Sequence, residues 1–157
     1  MSLERERKFL VAPERLPRLR GGTRITQVYL SLDPEVRVRL SAAGAWLTIK
    51  SEGGLVRSEF EYRIPRADAV QLTKIGHYKR VEKTRYRIHH QGLLWELDQY
   101  WGANHGLWTA EVELERSNEK VALPDWIERE VTGKPRFANQ HLAVKPFRAR
   151  KSRRLIA

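Results

Sequence analysis

The chain has 157 residues, of which 41% are hydrophobic and 31% are charged, a balance typical of one folded domain rather than of a disordered chain. It contains no cysteine, which excludes disulfide frameworks, thiolate metal sites and a cysteine nucleophile. The net charge of +11 indicates an anionic partner. The charged N-terminal stretch and the lack of a long apolar run predict a cytoplasmic protein that has no membrane partner.

Part of the positive charge lies at the C-terminus. Residues 148–157 contain five arginine or lysine residues and no acidic residue, which leaves a net charge of +6 on residues 1–147. We therefore expect one domain over residues 1–147 and a basic tail over residues 148–157. A solvated terminus is the simpler interpretation of the tail. Nucleic acid is expected as a partner at most through this tail.

The dominant pattern along the chain is an alternation of polar and apolar residues, which predicts β-strands. The segments lie near 3–11, 24–32, 35–42, 45–52, 55–64, 80–89, 92–101 and 108–116. Short turns between most of them favour antiparallel pairing. Helices are predicted over 13–19, 66–75, 124–130 and 139–145, the last with Asn139 as its N-cap and Pro146 as its stop.

Charged side chains share one face of each predicted strand. On the first strand, Glu4, Glu6 and Lys8 fall on the same side because successive side chains of a strand point to opposite faces. A half-exposed sheet has the same alternation. However, some strands carry only cations on this face and others, such as the strand with Glu111 and Glu113, only anions, whereas a solubility surface mixes signs. The set favours a closed, eight-stranded antiparallel β-barrel with a polar interior.

Such an interior suits one class of ligand. Arginine and lysine bind phosphate oxygens. Clustered carboxylates hold hard divalent cations such as Mg²⁺ or Mn²⁺. Cationic and acidic walls together therefore predict a site for a metal-bound polyphosphate, the substrate class of phosphoryl transfer.

Several motifs resemble those of the CYTH family, the triphosphate tunnel metalloenzymes. The first is Glu4-x-Glu6-x-Lys8, which resembles the family's E-x-E-x-K signature. The others follow in the same order: Gln27-x-Tyr29-Leu30, VRVR at 36–39, LTIK at 47–50, EFEYRIP at 59–65, EKTRY at 82–86, WELDQY at 95–100, AEVELE at 110–115, and VTG…NQHLAVKPF at 131–147. The resemblance covers roughly residues 2–147.

The resemblance implies a mainly β protein, an antiparallel tunnel with amphipathic helices outside and a C-terminal helix near one end. The residues implied to bind the triphosphate are Lys8, Arg37, Arg39, Lys50, Lys83, Arg85 and Lys145. The carboxylates implied to hold or support Mg²⁺ or Mn²⁺ are Glu4, Glu6, Glu61, Asp98, Glu111 and Glu113. Lys8 and Tyr29 are implied as a pair that activates water, although Tyr29 could equally pack in the lumen with a hydrogen-bonded hydroxyl.

The implied function is metal-dependent hydrolysis of a triphosphate, with inorganic triphosphate expected first because no nucleotide-reading motif is present. Thiamine triphosphate, nucleoside triphosphates and RNA 5′-triphosphates are alternative substrates, and adenylyl cyclisation is an alternative reaction. A non-catalytic module that binds polyphosphate or nucleotide would need nearly the same residues. Glu59 and Glu115 neighbour the implied ligands, so the division between ligands and supporting carboxylates stays open.

Overall fold

The computed structural model describes residues 1–52, 56–76 and 79–148, in which the chain forms nine strands and two α-helices. The strands are β1 (Ser2–Val11), β2 (Thr23–Leu32), β3 (Glu35–Ser41), β4 (Gly44–Lys50), β5 (Val56–Arg63), β6 (Arg80–His90), β7 (Leu93–Tyr100), β8 (Trp108–Glu113) and β9 (Ile127–Glu130). The helices are α1 (Arg66–Ile75) and α2 (Asn139–Val144). No helix in this described part is long and apolar enough to cross a membrane.

Eight of the strands close into an antiparallel barrel. Their order is β5-β4-β3-β2-β6-β7-β8-β1, and β1 pairs back onto β5 with Glu4 opposite Arg57. The ninth strand, β9, pairs with the C-terminal half of β1 outside the closed ring. The prediction of an eight-stranded antiparallel barrel is confirmed, and the boundaries of these strands lie within three residues of the predicted ones.

The strand registers place the charged residues on the inside. Gln27 of β2 lies opposite Arg39 of β3, and Glu6 of β1 lies opposite Glu113 of β8. Directly paired residues share one face of a sheet, so each pair points into the barrel together. The apolar residues of the same strands therefore point outward and need cover.

Two layers cover most of this apolar outer surface. Helix α1 packs its buried Ala69 against β3 and β4, where Val38 is fully buried. On the other side, the long segment before β9 places Trp126 against Trp95 of β7, with ring centroids 5.6 Å apart. Two hydrophobic clusters thus lie between the barrel and its covering segments.

The C-terminal segment closes one end of the barrel. Three inward-facing aromatic or aliphatic residues at this end, Tyr29, Val81 and Tyr100, belong to one buried cluster with Phe137 and Leu142. Helix α2 contacts β2 and β6. At the opposite end, inward-facing residues are accessible: the side chain of Arg87 is 68% exposed. The barrel is therefore a tunnel that opens at one end and is covered by residues 131–144 at the other.

Three helix predictions need correction. Residues 124–130 do not form a helix, because the chain turns at Pro124 and residues 127–130 pair with β1 as β9. The helix over 13–19 is a single turn, Pro13–Arg15, since Leu16 precedes a proline and is extended. Asn139 is not the N-cap of α2. Ala138 takes that position, and the Asn139 side chain accepts a hydrogen bond from the Tyr100 hydroxyl at 2.7 Å.

Candidate active site

The tunnel encloses a cavity of about 490 Å³, with walls formed by inward-facing residues of all eight barrel strands and by the C-terminal segment. Most of the residues implied by the family resemblance line it together: Glu4, Glu6, Lys8, Tyr29, Arg37, Arg39, Lys50, Glu61, Lys83, Arg85, Glu111 and Glu113. These residues come from seven different strands, so the barrel assembles one site from positions far apart in the chain.

Asp98 and Lys145 are placed differently. Asp98 is fully buried behind the cavity wall, where it accepts hydrogen bonds from Lys83 Nζ at 2.7 Å and from Arg85 Nε at 2.7 Å. It therefore positions two cations rather than facing a ligand. Lys145 follows α2 in an extended conformation, its side chain is exposed, and it does not line the cavity. Lys134, in the segment after β9, does line the cavity.

Two charged residues of the cavity, Glu35 and Arg57, were missed by the sequence analysis. Arg57 Nε donates a hydrogen bond to Glu4 at 2.8 Å, and its terminal nitrogens lie 3.7 Å from Glu6 and 3.8 Å from Glu35. The sequence contains a signal for both: Glu35 lies two residues before Arg37 and Arg57 lies two residues before Glu59, so each shares a strand face with an implied site residue or its neighbour. Arg57 thus joins carboxylates of β1 and β3 across the tunnel.

The buried cations are held by short ion pairs. Lys50, whose side chain is 2% exposed, lies 2.8 Å from Glu4 and 3.0 Å from Glu59. Arg37 is also buried, 3.6 Å from Glu35. Removing such charges from water is costly unless they are paired, so the carboxylates make it possible for these cations to sit inside the barrel. An anionic ligand would compete for the same cations.

The two lysines near the middle of the tunnel have opposite electrostatic environments. Burial alone would lower the pKa of Lys8, but Tyr100 and Glu111 beside it raise the pKa above its ordinary value. Glu111 lies 3.1 Å from Lys8 Nζ. Burial lowers the pKa of Lys83 to about 8, since the neighbouring Asp98 offsets only part of this effect and the nearby Arg85 adds to it. Lys8 therefore holds its proton more firmly than Lys83, whose charged form an anion bound beside it would stabilise.

Tyr29 keeps its proton. Burial raises the pKa of the Tyr29 hydroxyl, and the neighbouring Arg37 only partly offsets this effect. Arg37 lies directly opposite Tyr29 in the pairing of β2 with β3, and among the residues that the structure describes this buried hydroxyl has no well-aligned hydrogen-bond partner. Because it keeps its proton, the hydroxyl is a hydrogen-bond donor rather than a base near neutral pH.

The family model of the CYTH domain matches residues 2–141, which include all eight barrel strands and β9. The chain belongs to the CYTH family. A curated relative from Acetivibrio thermocellus, named inorganic triphosphatase, is 39% identical over an alignment of 152 positions that covers 94% of this chain and 97% of the relative. A second, from Nitrosomonas europaea and with the same name, is 37% identical over 90% of this chain and 97% of its own length.

The fold of the family is also found among solved structures. A crystal structure of an inorganic triphosphatase superposes with a TM-score of 0.68 at 35% identity, covering 90% of this chain and 97% of its own. A protein from Pyrococcus horikoshii has the same fold, with a TM-score of 0.57 at 22% identity over 73% of this chain and 80% of its own.

Membership of the CYTH family implies a divalent metal, and the carboxylates of the tunnel fit one. Glu6 and Glu113 face each other across β1 and β8. Burial, followed by the neighbouring Glu111 and Glu4, raises the pKa of Glu6 to about 8. A divalent cation between these carboxylates would relieve that repulsion.

The donor set also suits the way in which Mg²⁺ binds. In the described part of the chain, no group of three or more acidic or histidine side chains is arranged to hold a metal ion alone. Mg²⁺ is usually bound by one or two carboxylates together with phosphate oxygens of the substrate. Glu6 and Glu113 would supply the two carboxylates. Glu4, Glu61 and Glu111 are ion-paired to basic residues at 2.8, 3.3 and 3.1 Å.

Proposed function

We propose that this CYTH protein is a metal-dependent inorganic triphosphatase, which hydrolyses inorganic triphosphate to phosphate and pyrophosphate. The observation that supports this most strongly is a tunnel, covered at one end, in which basic and acidic side chains from different strands face one cavity. Two relatives that match nearly the whole chain are named inorganic triphosphatase. The tunnel suits a small, highly charged substrate.

The basic residues of the tunnel would bind the triphosphate. Arg37, Lys50 and Lys83 are buried, and Arg39 lies nearer the open end with its side chain 22% exposed. Arginine and lysine bind phosphate oxygens more strongly in such a desolvated setting than at a surface. Lys8 and Arg85 complete the cationic set. These side chains would neutralise the charge that repels an attacking oxygen.

The metal, when bound, would neutralise phosphate oxygens and orient the scissile bond. Glu6 and Glu113 are the residues proposed to hold it. In phosphoryl transfer most of the catalysis comes from positioning and charge neutralisation rather than from covalent steps. The chain's own task is thus to hold the triphosphate in line with a water molecule.

The predicted activating pair, Lys8 and Tyr29, is proposed to act through hydrogen-bond donation. Both groups have a raised pKa, so neither removes a proton from water near neutral pH. Lys8 would instead contact a phosphate oxygen, and the Tyr29 hydroxyl would donate a hydrogen bond inside the cavity. Unchanged turnover in a Tyr29→Phe variant would exclude a role for this hydroxyl in the reaction.

The test is phosphate release from inorganic triphosphate by the purified protein, with Mg²⁺, with Mn²⁺ and with neither. ATP and thiamine triphosphate are run in parallel to test the alternative substrates. We expect metal-dependent release that is fastest with inorganic triphosphate. Glu113→Gln removes a proposed ligand and should lower kcat by about 100-fold or more, as losses of such electrostatic groups do.

Glu115→Gln is the matched control, because Glu115 is exposed two residues further along and does not line the cavity. It should retain wild-type activity. A folded wild-type protein that binds triphosphate but releases no phosphate with either metal would contradict the proposal and favour a binding module. Faster hydrolysis of ATP or thiamine triphosphate would reassign the substrate.

A further inference from the structure

One basic residue of the cavity differs from the others in having no carboxylate partner. The basic residues that line the cavity are Lys8, Arg37, Arg39, Lys50, Arg57, Lys83, Arg85 and Lys134. All of them except Lys134 lie between 2.7 and 3.6 Å from a carboxylate oxygen. With the residues that the structure describes, the Lys134 side chain forms neither an ion pair nor a hydrogen bond.

A short turn fixes the position of Lys134. Lys134 N donates a hydrogen bond to Val131 O at 3.0 Å, and Gly133 has a φ of +70°, as the third residue of a type II turn requires. The turn is held against β1, because Val131 N donates to Lys8 O at 2.8 Å and Lys8 N donates to Thr132 Oγ1 at 2.9 Å. The backbone of Lys134 is therefore tied, through Val131, to that of Lys8.

The side chain of Lys134 can turn into the cavity. The residue is exposed to solvent and also lines the cavity, so it lies where the cavity meets the surface. A lysine carries its ammonium on a flexible four-carbon stem, which lets the charge follow a ligand that enters. Residues 131–147 contain no acidic residue that would compete for this ammonium. Arg136, by contrast, lies over the Phe137 ring and does not line the cavity.

An unpaired ammonium at the edge of a cationic cavity suits an anion. At the other basic residues an incoming anion has to compete with a carboxylate that is already bound. Lys134 offers its charge and three N–H donors without the loss of an ion pair. Phosphate oxygens accept such charge-assisted hydrogen bonds, which are stronger than those between neutral groups. A divalent cation would be repelled by the same ammonium.

We propose that Lys134 is a substrate-binding residue that contacts the terminal phosphate of inorganic triphosphate at the covered end of the tunnel. Its ammonium donates a hydrogen bond to an oxygen of that phosphate, near the one that Lys8 contacts. This inference deepens the proposed triphosphatase function and rests on it. Lys134 moves no proton in this role. It attracts and holds the substrate equally before and during the reaction, so it affects KM rather than kcat.

The test compares Lys134→Met, which keeps the length of the stem but lacks the charge, with the wild type. Binding of inorganic triphosphate is measured by titration calorimetry in EDTA, and kcat and KM are measured in Mg²⁺. We expect Kd and KM to rise roughly fivefold, as for the loss of one charged hydrogen bond at a partly solvated site, while kcat stays nearly constant. The rise should shrink in about 1 M NaCl, because salt screens an exposed charge. Lys134→Arg keeps the charge and should retain most of the affinity.

Lys120→Met is the matched control, because Lys120 is an exposed lysine that does not line the cavity. It should leave Kd, KM and kcat unchanged, and thermal unfolding shows that each variant is folded. A wild-type Kd in Lys134→Met would overturn the inference. A rise in Kd that persists at high salt would also overturn it, since the substitution would then act through structure rather than charge.

Lys145→Met separates this inference from the assignment that the family resemblance implies. A higher Kd in Lys145→Met but not in Lys134→Met would return the binding role to Lys145 and overturn the inference. A wild-type protein that binds triphosphate in EDTA but does not hydrolyse it with either metal would refute the proposed function, and Kd would still decide the role of Lys134. A wild-type protein that does not bind triphosphate would refute both.

Discussion

At the scale of single residues, identical side chains acquire different properties from their partners. Lys8 and Lys83 both line the tunnel and both belong to motifs of alternating charge. The pKa of Lys8 is raised, whereas burial, and then the nearby Arg85 that competes with Lys83 for Asp98, lower the pKa of Lys83 to about 8. The sequence predicts that both lysines face the interior, but the competition for one carboxylate depends on cross-strand register.

The alternation of residues predicts most of the candidate site, since every second side chain of a barrel strand faces inward. The alternation does not predict the orientation of a side chain that lies outside the strands. The motif predicts that Lys145 joins the site, but α2 ends before this residue and its side chain is exposed. Conversely, Arg57 and Glu35 alternate in step with the inward-facing residues of their strands. They lie at strand ends, where the alternating pattern is short and therefore hard to recognise.

Glu6 provides a prediction on stability and pH. Its pKa is about 8 in the folded chain, mainly because of burial, against an ordinary value of 4.5. Between these values the folded state binds more protons than the unfolded state, so this carboxylate lowers stability as pH rises from about 4.5 to 8. Glu6→Gln should therefore raise Tm at pH 8.5 in EDTA by at least about 2 °C, with the gain lost near pH 5.

The measurement is thermal unfolding of both proteins at the two pH values. Glu115→Gln, at an exposed site outside the cavity, should leave Tm unchanged throughout. An equal shift for Glu6→Gln at pH 5 and pH 8.5 would mean that the substitution acts through packing rather than through charge.

At the scale of elements, the strands were predicted more accurately than the short helices. Eight alternating segments of six to eleven residues match the barrel strands, because the pattern repeats several times in each. Residues 127–130 carry only two repeats, and the preceding proline resembles a helix start. Residues 127–130 form a strand because they pair with β1, and the ion pair between Arg7 and Glu130 at 2.8 Å adds to this pairing. Such long-range pairing is not visible in a local pattern.

The end of α1 is coupled to the tunnel through one glycine. A side-chain carbon at Gly76 would collide with the backbone oxygen of Tyr29 and would lie 2.9 Å from Val28 Cγ1. Gly76→Ala should therefore displace Tyr29 or α1. We expect the free energy of unfolding to fall by about 1–3 kcal/mol, as in other overpacked sites, and kcat to fall with it.

Chemical denaturation and phosphate release measure these two effects. Ile75→Ala is the control, since Ile75 is the last residue of α1 and is 74% exposed. It should change neither quantity appreciably. If Gly76→Ala were as stable and active as the wild type, α1 would have room to move away from β2 at no cost.

At the scale of the whole molecule, the barrel is polar inside and apolar outside. The sequence predicts this arrangement because like charges at neighbouring positions of one strand face, such as Arg37 and Arg39, are unfavourable on a solvated surface but useful around an anion. It also predicts that helices cover the apolar face, as α1 does. It does not predict that an irregular segment carrying Trp126 covers the other side, because such a segment has no periodicity.

The covered end of the tunnel has a kinetic consequence. If water attacks the phosphorus nearest α2, phosphate is formed behind pyrophosphate, and pyrophosphate must diffuse out of the open end first. Phosphate would then be the last product to leave and would compete with triphosphate for the free protein, whereas pyrophosphate would inhibit noncompetitively. Steady-state product inhibition distinguishes the two orders. Competitive inhibition by pyrophosphate alone would show that phosphate leaves first, past residues 131–144. The two products would then leave through opposite ends of the tunnel.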